Sequence, residues 1–211
     1  MSPERQWWLR TLAVFQSPRA VFSALRDDSD EQATARQEPI IAIVLLAGIA
    51  SILSAGATGR LLDDPEIDGL LVAVLAFLTG SLYGAVSYWI GGLFLHTGLR
   101  GAGGQGSFRR TRHVLAFAAA PLALSLFVVW PLRLAIYGSD TFRTGGEDEG
   151  IGLQVFEGIT GAFVLWSVVL LVLGVRVVQG WRWGRALVAV ALAVLAIAVV
   201  TALVLLPLTV S

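Results

Sequence analysis

Long apolar segments constrain the fold of this chain more than any other feature. Of its 211 residues, 56% are hydrophobic and 14% are charged, whereas a soluble domain has roughly a quarter of its residues charged. A helix needs about 20 mostly apolar residues to cross a bilayer. Five segments meet that length, at about 39–58, 69–95, 113–137, 151–175 and 186–210. We therefore predict an all-α polytopic membrane protein, a bundle of five transmembrane helices.

Residues 1–38 differ from the transmembrane domain predicted over 39–211. The first helix of this segment is predicted to place Trp8, Leu12 and Phe15 on one face. A second short helix follows Ser17, with a proline at its first position. Amphipathic helices that carry arginine and tryptophan suit the membrane interface. The segment is thus predicted to be cytoplasmic or interfacial, and packing on the spans is an alternative compatible with that.

The arginines predict the orientation. The 15 basic residues are all arginine. Twelve of them fall in the N-terminal segment, in 97–112 and in 176–185, which alternating spans place on one side. The positive-inside rule puts that side in the cytoplasm. We expect a multi-pass protein of the cell membrane, plasma or inner, with a cytoplasmic N-terminus and an external C-terminus.

Small residues and prolines in the spans predict packing and bending. Gly80 and Gly84 are four residues apart, and Gly91 follows on the same helix. Such spacing lets helix backbones approach closely in lipid, within one subunit or between partners. The pattern allows a homo-oligomer or a contact with another membrane protein, although internal packing explains it equally well. Pro121 should kink the third span, and Pro131 follows near its outer end.

A basic cluster follows the glycine-rich segment 96–107. Arg109, Arg110 and Arg112 lie at the cytoplasmic start of the third span. They could contact anionic lipid headgroups, or serve as ordinary topogenic charge. The glycine-rich segment lacks the Lys-Ser/Thr ending of a nucleotide-binding loop, so we expect a connector. A formal net charge of zero makes nucleic acid an unlikely partner for such a chain, and the bilayer is the expected one.

One intramembrane polar site is predicted. Arg133 lies near the outer end of the third span, Glu157 lies about two turns into the fourth, and Gln154 is one turn before it. Charged groups inside a bilayer are costly and need a partner or water. The functional interpretation is a pocket for an ion, a proton or a lipid headgroup. The structural one is an ion pair between helices, or an arginine that extends to the outer surface.

Recognisable catalytic and metal-binding patterns are absent from the sequence. It has no cysteine and two distant histidines, which disfavours thiolate chemistry and a metal site. It also lacks the zinc-protease and serine-hydrolase motifs. We predict no catalytic, cofactor-binding or metal-binding residues, and therefore no enzymatic activity.

Two stretches resemble a known family. They are FQSPRAVFSAL at 15–25 and GGQGSFRRTRHVLAFAAAPLAL at 103–124, in which Phe117 to Pro121 form an aromatic-small-small-small-Pro pattern. With the apolar spans, they resemble the Yip domain family, the Ypt/Rab-interacting integral membrane proteins, in its prokaryotic form. The resemblance implies a five-span integral membrane protein whose prokaryotic relatives have no settled activity. Eukaryotic members bind Rab-class GTPases, but their Asp-Leu-x-Gly-Pro-like motif is missing before the first span, so GTPase binding is not expected here.

The resemblance favours a non-enzymatic membrane-organising or interaction scaffold. The alternative is a small transporter, channel or lipid-moving protein that uses the polar site near Glu157 and Arg133. The two differ in what they require of Glu157, because a transporter depends on that carboxylate and a scaffold does not.

Overall fold

The computed structural model describes residues 3–27, 37–56, 58–145 and 150–210, and within these ranges the chain is helical without strands. Two short 3-10 helices, Thr58–Asp63 and Gly138–Phe142, lie in the loops that precede α4 and α7. The α-helices of the described ranges are α1 (Pro3–Ala13), α2 (Pro18–Arg26), α3 (Gln37–Leu53), α4 (Gly69–Gly101), α5 (Phe108–Ala118), α6 (Ala120–Tyr137), α7 (Ile151–Gln179) and α8 (Trp183–Val210).

Four helical segments of the described chain are long and apolar enough to cross a membrane. They are Gly69–Gly101, Phe108–Phe142, Ile151–Gln179 and Trp183–Leu203. The predicted all-helical membrane architecture is confirmed to this extent, whereas the predicted count of five is not. The helix in the first predicted span, α3, has 17 residues, or about 25 Å at 1.5 Å per residue.

The sequence prediction extended the first span to residue 58, but α3 ends at Leu53. Hydroxyl groups compete with the helix there. Ser54 Oγ donates to the Ala50 carbonyl at 2.9 Å, and Thr58 Oγ1 donates to the Ile52 carbonyl at 2.6 Å. Such side-chain bonds offer the last carbonyls of a helix an alternative to further helical turns.

Large apolar side chains remain exposed along one zone of the bundle. On α4 they extend from Leu70 to Leu93, on α7 from Ile151 to Val169, and on α8 from Leu187 to Leu203. These stretches are about 24 to 35 Å long at 1.5 Å per residue, which matches a hydrocarbon core about 30 Å thick. We call this zone the apolar belt. The helices continue past it at the arginine-rich end, where α5 and the C-terminal part of α7 are largely buried.

Glycines bring α3 and α4 into backbone contact. A Cβ on Gly48 would overlap the Gly80 carbonyl oxygen, and one on Gly84 would overlap the Val44 carbonyl oxygen. The structure therefore places Gly80 and Gly84 against a helix of the same chain. Gly91 points elsewhere, since a Cβ there would be 3.2 Å from the Leu115 side chain of α5.

The N-terminal helices pack on the bundle. Phe22 of α2 is fully buried and lies against Gly174 of α7 and Val114 of α5. Trp7 and Thr11 of α1 and Val14, just after it, are buried, whereas Trp8 and Leu12, predicted to share an apolar face with Phe15, are 42% and 68% exposed. The apolar residues of α1 thus divide between a face on the bundle and a face directed away from it.

The third predicted span is interrupted near its proline. Helix α5 ends at Ala118, and α6 starts at Ala120 with Pro121 in its first turn. Proline has no N–H to donate there and its ring disfavours a continuous helix. Pro131 lies inside α6, exposed and without an interruption.

Candidate functional site

Arg112 is the most unusual side chain at the arginine-rich end. Its residue is only 9% exposed, and its guanidinium carbon lies 3.5 Å from the ring centroid of Trp89. The rings of Phe108 and Tyr88 are 4.7 and 5.0 Å away. Three aromatic rings thus surround a buried cation, an arrangement that is favourable when the cation is desolvated.

The packing of Arg112 depends on a small residue in α4. A Cβ on Gly92 would overlap the Arg112 side chain, so glycine gives the arginine room to lie across α4. Ser107 caps α5 by accepting a hydrogen bond from the Arg110 backbone N–H at 3.2 Å. That cap sets the start of α5 and hence the direction in which Arg112 leaves the helix.

Two adjoining cavities surround this cation. The first, which we call the arginine pocket, has a volume of about 410 Å³ and is lined by Arg109, Arg112, His113, Trp89 and Gln37 among others. The second, which we call the apolar groove, has a volume of about 440 Å³. The two share Val44 and Tyr88 in their linings, so they adjoin at the border of α3 and α4.

The apolar groove runs from the arginine pocket toward the middle of the apolar belt. On α5 and α6 the groove residues are Leu115 to Leu122, whereas those of the pocket are Arg109 to His113. The same order holds on α3. On α3, α5 and α6 the groove is therefore displaced from the pocket toward the middle of the belt, whereas on α4 the two linings overlap, since Ala85 to Trp89 fall within Tyr83 to Phe94. The walls of the groove are mostly aliphatic and aromatic.

A third cavity lies at the opposite end, where the sequence predicted a polar site. This outer pocket has a volume of about 390 Å³ and is lined by side chains of the two outer loops and by α6 and α7. Among the described residues of its lining, the charged ones are Arg60, Arg133, Arg143 and Glu157. Trp130 also lines it, and the Arg133 guanidinium carbon lies 5.4 Å from that ring.

The structure brings together two of the three residues predicted for the polar site. Arg133 and Glu157 line the outer pocket, whereas Gln154 is exposed outside its lining. In the described part of the chain, the ion pair with an N–O distance within 4.0 Å is the one between Arg26 and Asp27. Arg133 and Glu157 therefore do not form an ion pair with each other. Arg133 and Glu157 are thus two charged residues that line the same cavity.

The outer loops are joined beside this pocket. Asp63 accepts hydrogen bonds from the Thr144 backbone N–H at 2.8 Å and from Thr144 Oγ1 at 2.5 Å. These bonds stabilise the carboxylate and lower the pKa of Asp63 from its ordinary value. Residues 81 positions apart in sequence are thereby joined beside the outer pocket, which Thr144 lines.

The glycine-rich segment is attached to the neighbouring turn. Arg185 Nε donates to the Ala102 carbonyl at 2.9 Å, and Arg185 Nη2 donates to the Gly103 carbonyl at 3.0 Å. Gly103 has a φ of +78°, a conformation that glycine adopts without steric cost. Residues 102–107 therefore form a fixed connector between α4 and α5, whereas 96–101, predicted as part of the connector, are the last residues of α4.

The two histidines lie near the arginine pocket but do not form a metal centre. His96 Nδ1 is 3.3 Å from Thr111 Oγ1, and His113 is buried. Within the described residues, no group of three His, Asp or Glu side chains could hold a metal ion. The histidines contribute polarity to a region that the arginines dominate.

The sequence indicates Arg112 as one of three clustered arginines, whereas the aromatic rings around it were not predicted. Tyr88 and Trp89 are 23 to 24 residues before Arg112, and only the antiparallel packing of α4 and α5 brings them together. A tyrosine and tryptophan near the arginine-side end of a span were the available signal, because such residues favour the membrane interface.

The fold and its apolar belt define an integral membrane protein of the polytopic α-helical class. The chain belongs to the Yip1 domain family, whose model matches residues 12–206. That match covers both stretches on which the resemblance rested and confirms it. Comparisons with curated proteins and with solved structures gave no match.

Proposed function

We propose that this Yip1 domain protein is a non-enzymatic scaffold that organises the membrane or holds a partner at it. The observation that supports this most directly is the two-sided α1. Trp7, and Val14 directly after the helix, are buried in the bundle, while Leu9 and Leu12 are 52% and 68% exposed. An outward apolar face on a helix held by the bundle is suited to the boundary between headgroups and acyl chains.

The depth of α1 agrees with that role. The Phe15 ring, just after α1, packs edge-on against Trp166 at 5.3 Å. Trp166 lies one turn from Val169, the last large exposed apolar residue of α7 at that end. We therefore place α1 at the cytoplasmic edge of the apolar belt, lying in the interface and anchored by α2.

The proposal includes five spans and a fixed orientation. Helix α3 packs between α4 and α6, and its length of about 25 Å would be accommodated by local thinning or by polar flanks at the interface. The arginine-rich end is then cytoplasmic in the cell membrane. A homo-oligomer or a membrane-protein partner would have to use surfaces other than Gly80 and Gly84, which α3 occupies.

Reconstitution of the full chain tests the membrane-organising role. We expect the protein to change the diameter of phosphatidylcholine–phosphatidylglycerol vesicles, as measured by electron cryomicroscopy at a fixed protein-to-lipid ratio. L12S should remove the effect, because it removes apolar area from the interfacial helix. The matched control L187S makes the same change on an exposed position of the belt and should retain it. Vesicles unaffected by the wild type would contradict the role.

The outer pocket favours the second candidate, a small transporter, channel or lipid-moving protein. It combines three arginines with Glu157 at one end of the bundle, and intramembrane charges often mark a substrate path. This candidate would be supported if the wild-type protein carries ions or lipids across the membrane of the same vesicles and E157Q abolishes that flux. If the protein is a scaffold, E157Q should change the vesicle diameter as much as the wild type does.

A further inference from the structure

We propose that the arginine pocket and the apolar groove together bind one anionic glycerophospholipid. The phosphate would be held by Arg112 and Arg109, and one acyl chain would lie in the groove between α3, α4 and α5. The site is independent of the scaffold role, since it requires only that the bundle lie in a bilayer.

The first argument is the unused hydrogen-bonding capacity of Arg112. A guanidinium has five N–H donors, all in its plane. In the described part of the chain, the buried Nε of Arg112 has no hydrogen-bond partner. Leaving a buried polar group unsatisfied costs free energy, and a phosphate in the adjoining pocket would remove that cost with two parallel bonds.

The second argument is charge. The described residues that line the arginine pocket include Arg109, Arg112 and His113, and no carboxylate lies among them. The two cations among these described lining residues complement a phosphate diester. The aromatic rings hold the Arg112 guanidinium in one orientation, so little of its conformational freedom remains to be lost on binding.

The third argument is depth. Trp89 lies one helical turn from Leu93, the last large exposed apolar residue of α4 at the arginine-rich end. The guanidinium stacked on Trp89 is therefore at the border of headgroups and acyl chains. From Arg112 to Leu122 the chain advances about 15 Å at 1.5 Å per residue, which is half of a hydrocarbon core about 30 Å thick.

The fourth argument is the shape of the two cavities together. Each is within the usual range of ligand pockets, about 300 to 1,000 Å³, and they share Val44 and Tyr88. A polar compartment continuous with an apolar one matches a headgroup joined to an acyl chain. A soluble phosphorylated ligand would leave the groove unexplained.

Native mass spectrometry of the full chain in detergent tests the site. The probes are dioleoyl phosphatidylglycerol and dioleoyl phosphatidylcholine, which have the same chains. We expect the first bound lipid to be phosphatidylglycerol, with a Kd about tenfold or more below that of phosphatidylcholine. One charge-assisted hydrogen bond is enough for a ratio of that size. Equal affinities for the two lipids would overturn the proposal.

Variants separate the headgroup contact from general charge. R112Q should abolish the preference for the anionic lipid, and R112K should retain only part of it because lysine lacks the planar fork. R110Q removes an equal charge two residues from Arg112, outside the lining of the arginine pocket, and should keep the preference. R109Q changes an exposed residue of the pocket and gives a second test that does not disturb the aromatic rings. Equal losses in R110Q and R109Q would reduce the effect to bulk electrostatics and contradict a defined site.

A third comparison distinguishes a lipid from a free phosphate compound. S87F fills the apolar groove and should weaken binding of both lipids, whereas L82F, exposed on the same helix and outside the groove, should not. sn-Glycerol 3-phosphate has the phosphate without the chains and should compete only weakly. Competition at the same concentration as the lipid would assign the pocket to soluble phosphates and overturn the lipid assignment.

Discussion

At the scale of single residues, Gly84 shows how closely the bundle is packed. A Cβ at this position would overlap the carbonyl oxygen of Val44, which is backbone and cannot rotate away. We expect G84A to destabilise the protein by about 1 to 3 kcal/mol, the usual cost of overpacking. The measurement is the unfolding midpoint in detergent. The matched control is G158A, because nothing lies within 4 Å of a Cβ there and alanine is the better helix former. Similar losses in both would contradict backbone contact between α3 and α4.

Asp63 provides a pH-dependent residue outside the spans. Its hydrogen bonds from Thr144 lower the pKa of the carboxyl in the folded protein. The stabilisation is therefore present above the ordinary pKa of Asp, about 3.9, and is lost as pH falls through the lowered folded pKa. We expect the unfolding temperature of the wild type to exceed that of D63N near neutral pH, with the difference vanishing in stronger acid. T144V removes the hydroxyl hydrogen bond but keeps the one from the Thr144 backbone N–H, so it should show part of the D63N effect. A difference that is constant with pH would contradict the assignment.

At the scale of helices, the length of the apolar segments predicted which helices exist better than it predicted where each helix ends. The four longer spans follow directly from their composition. The early end of α3 at Leu53 depends on which carbonyls Ser54 and Thr58 contact, and hydropathy carries no signal for that. The buried face of α1 could not be predicted from the sequence either. Trp7 and Trp8 are adjacent and chemically identical, and only the tertiary contact of Trp7 with Phe117 distinguishes them.

The whole molecule explains why the candidate site was only partly predicted. Arg133 and Glu157 could be placed at similar depth by counting residues from the ends of their helices. The arginine pocket required the antiparallel approach of α4 and α5, the room left by Gly92, and the packing of α3 beside them. These are tertiary relations, and a sequence without them shows Arg112 as one of three similar arginines.

The orientation of the whole bundle gives the last prediction. The chain has no cysteine, so single cysteines can report on each side in sealed cells with a membrane-impermeant thiol reagent. We expect R143C to be labelled from outside and R109C only after the membrane is opened, because twelve of the 15 arginines share the side of Arg109 and the positive-inside rule makes that side cytoplasmic. Glu157 lines the same pocket as Arg143, so E157C should be labelled from the same side as R143C. Labelling of R109C from outside would reverse every loop and would place the lipid site in the outer leaflet.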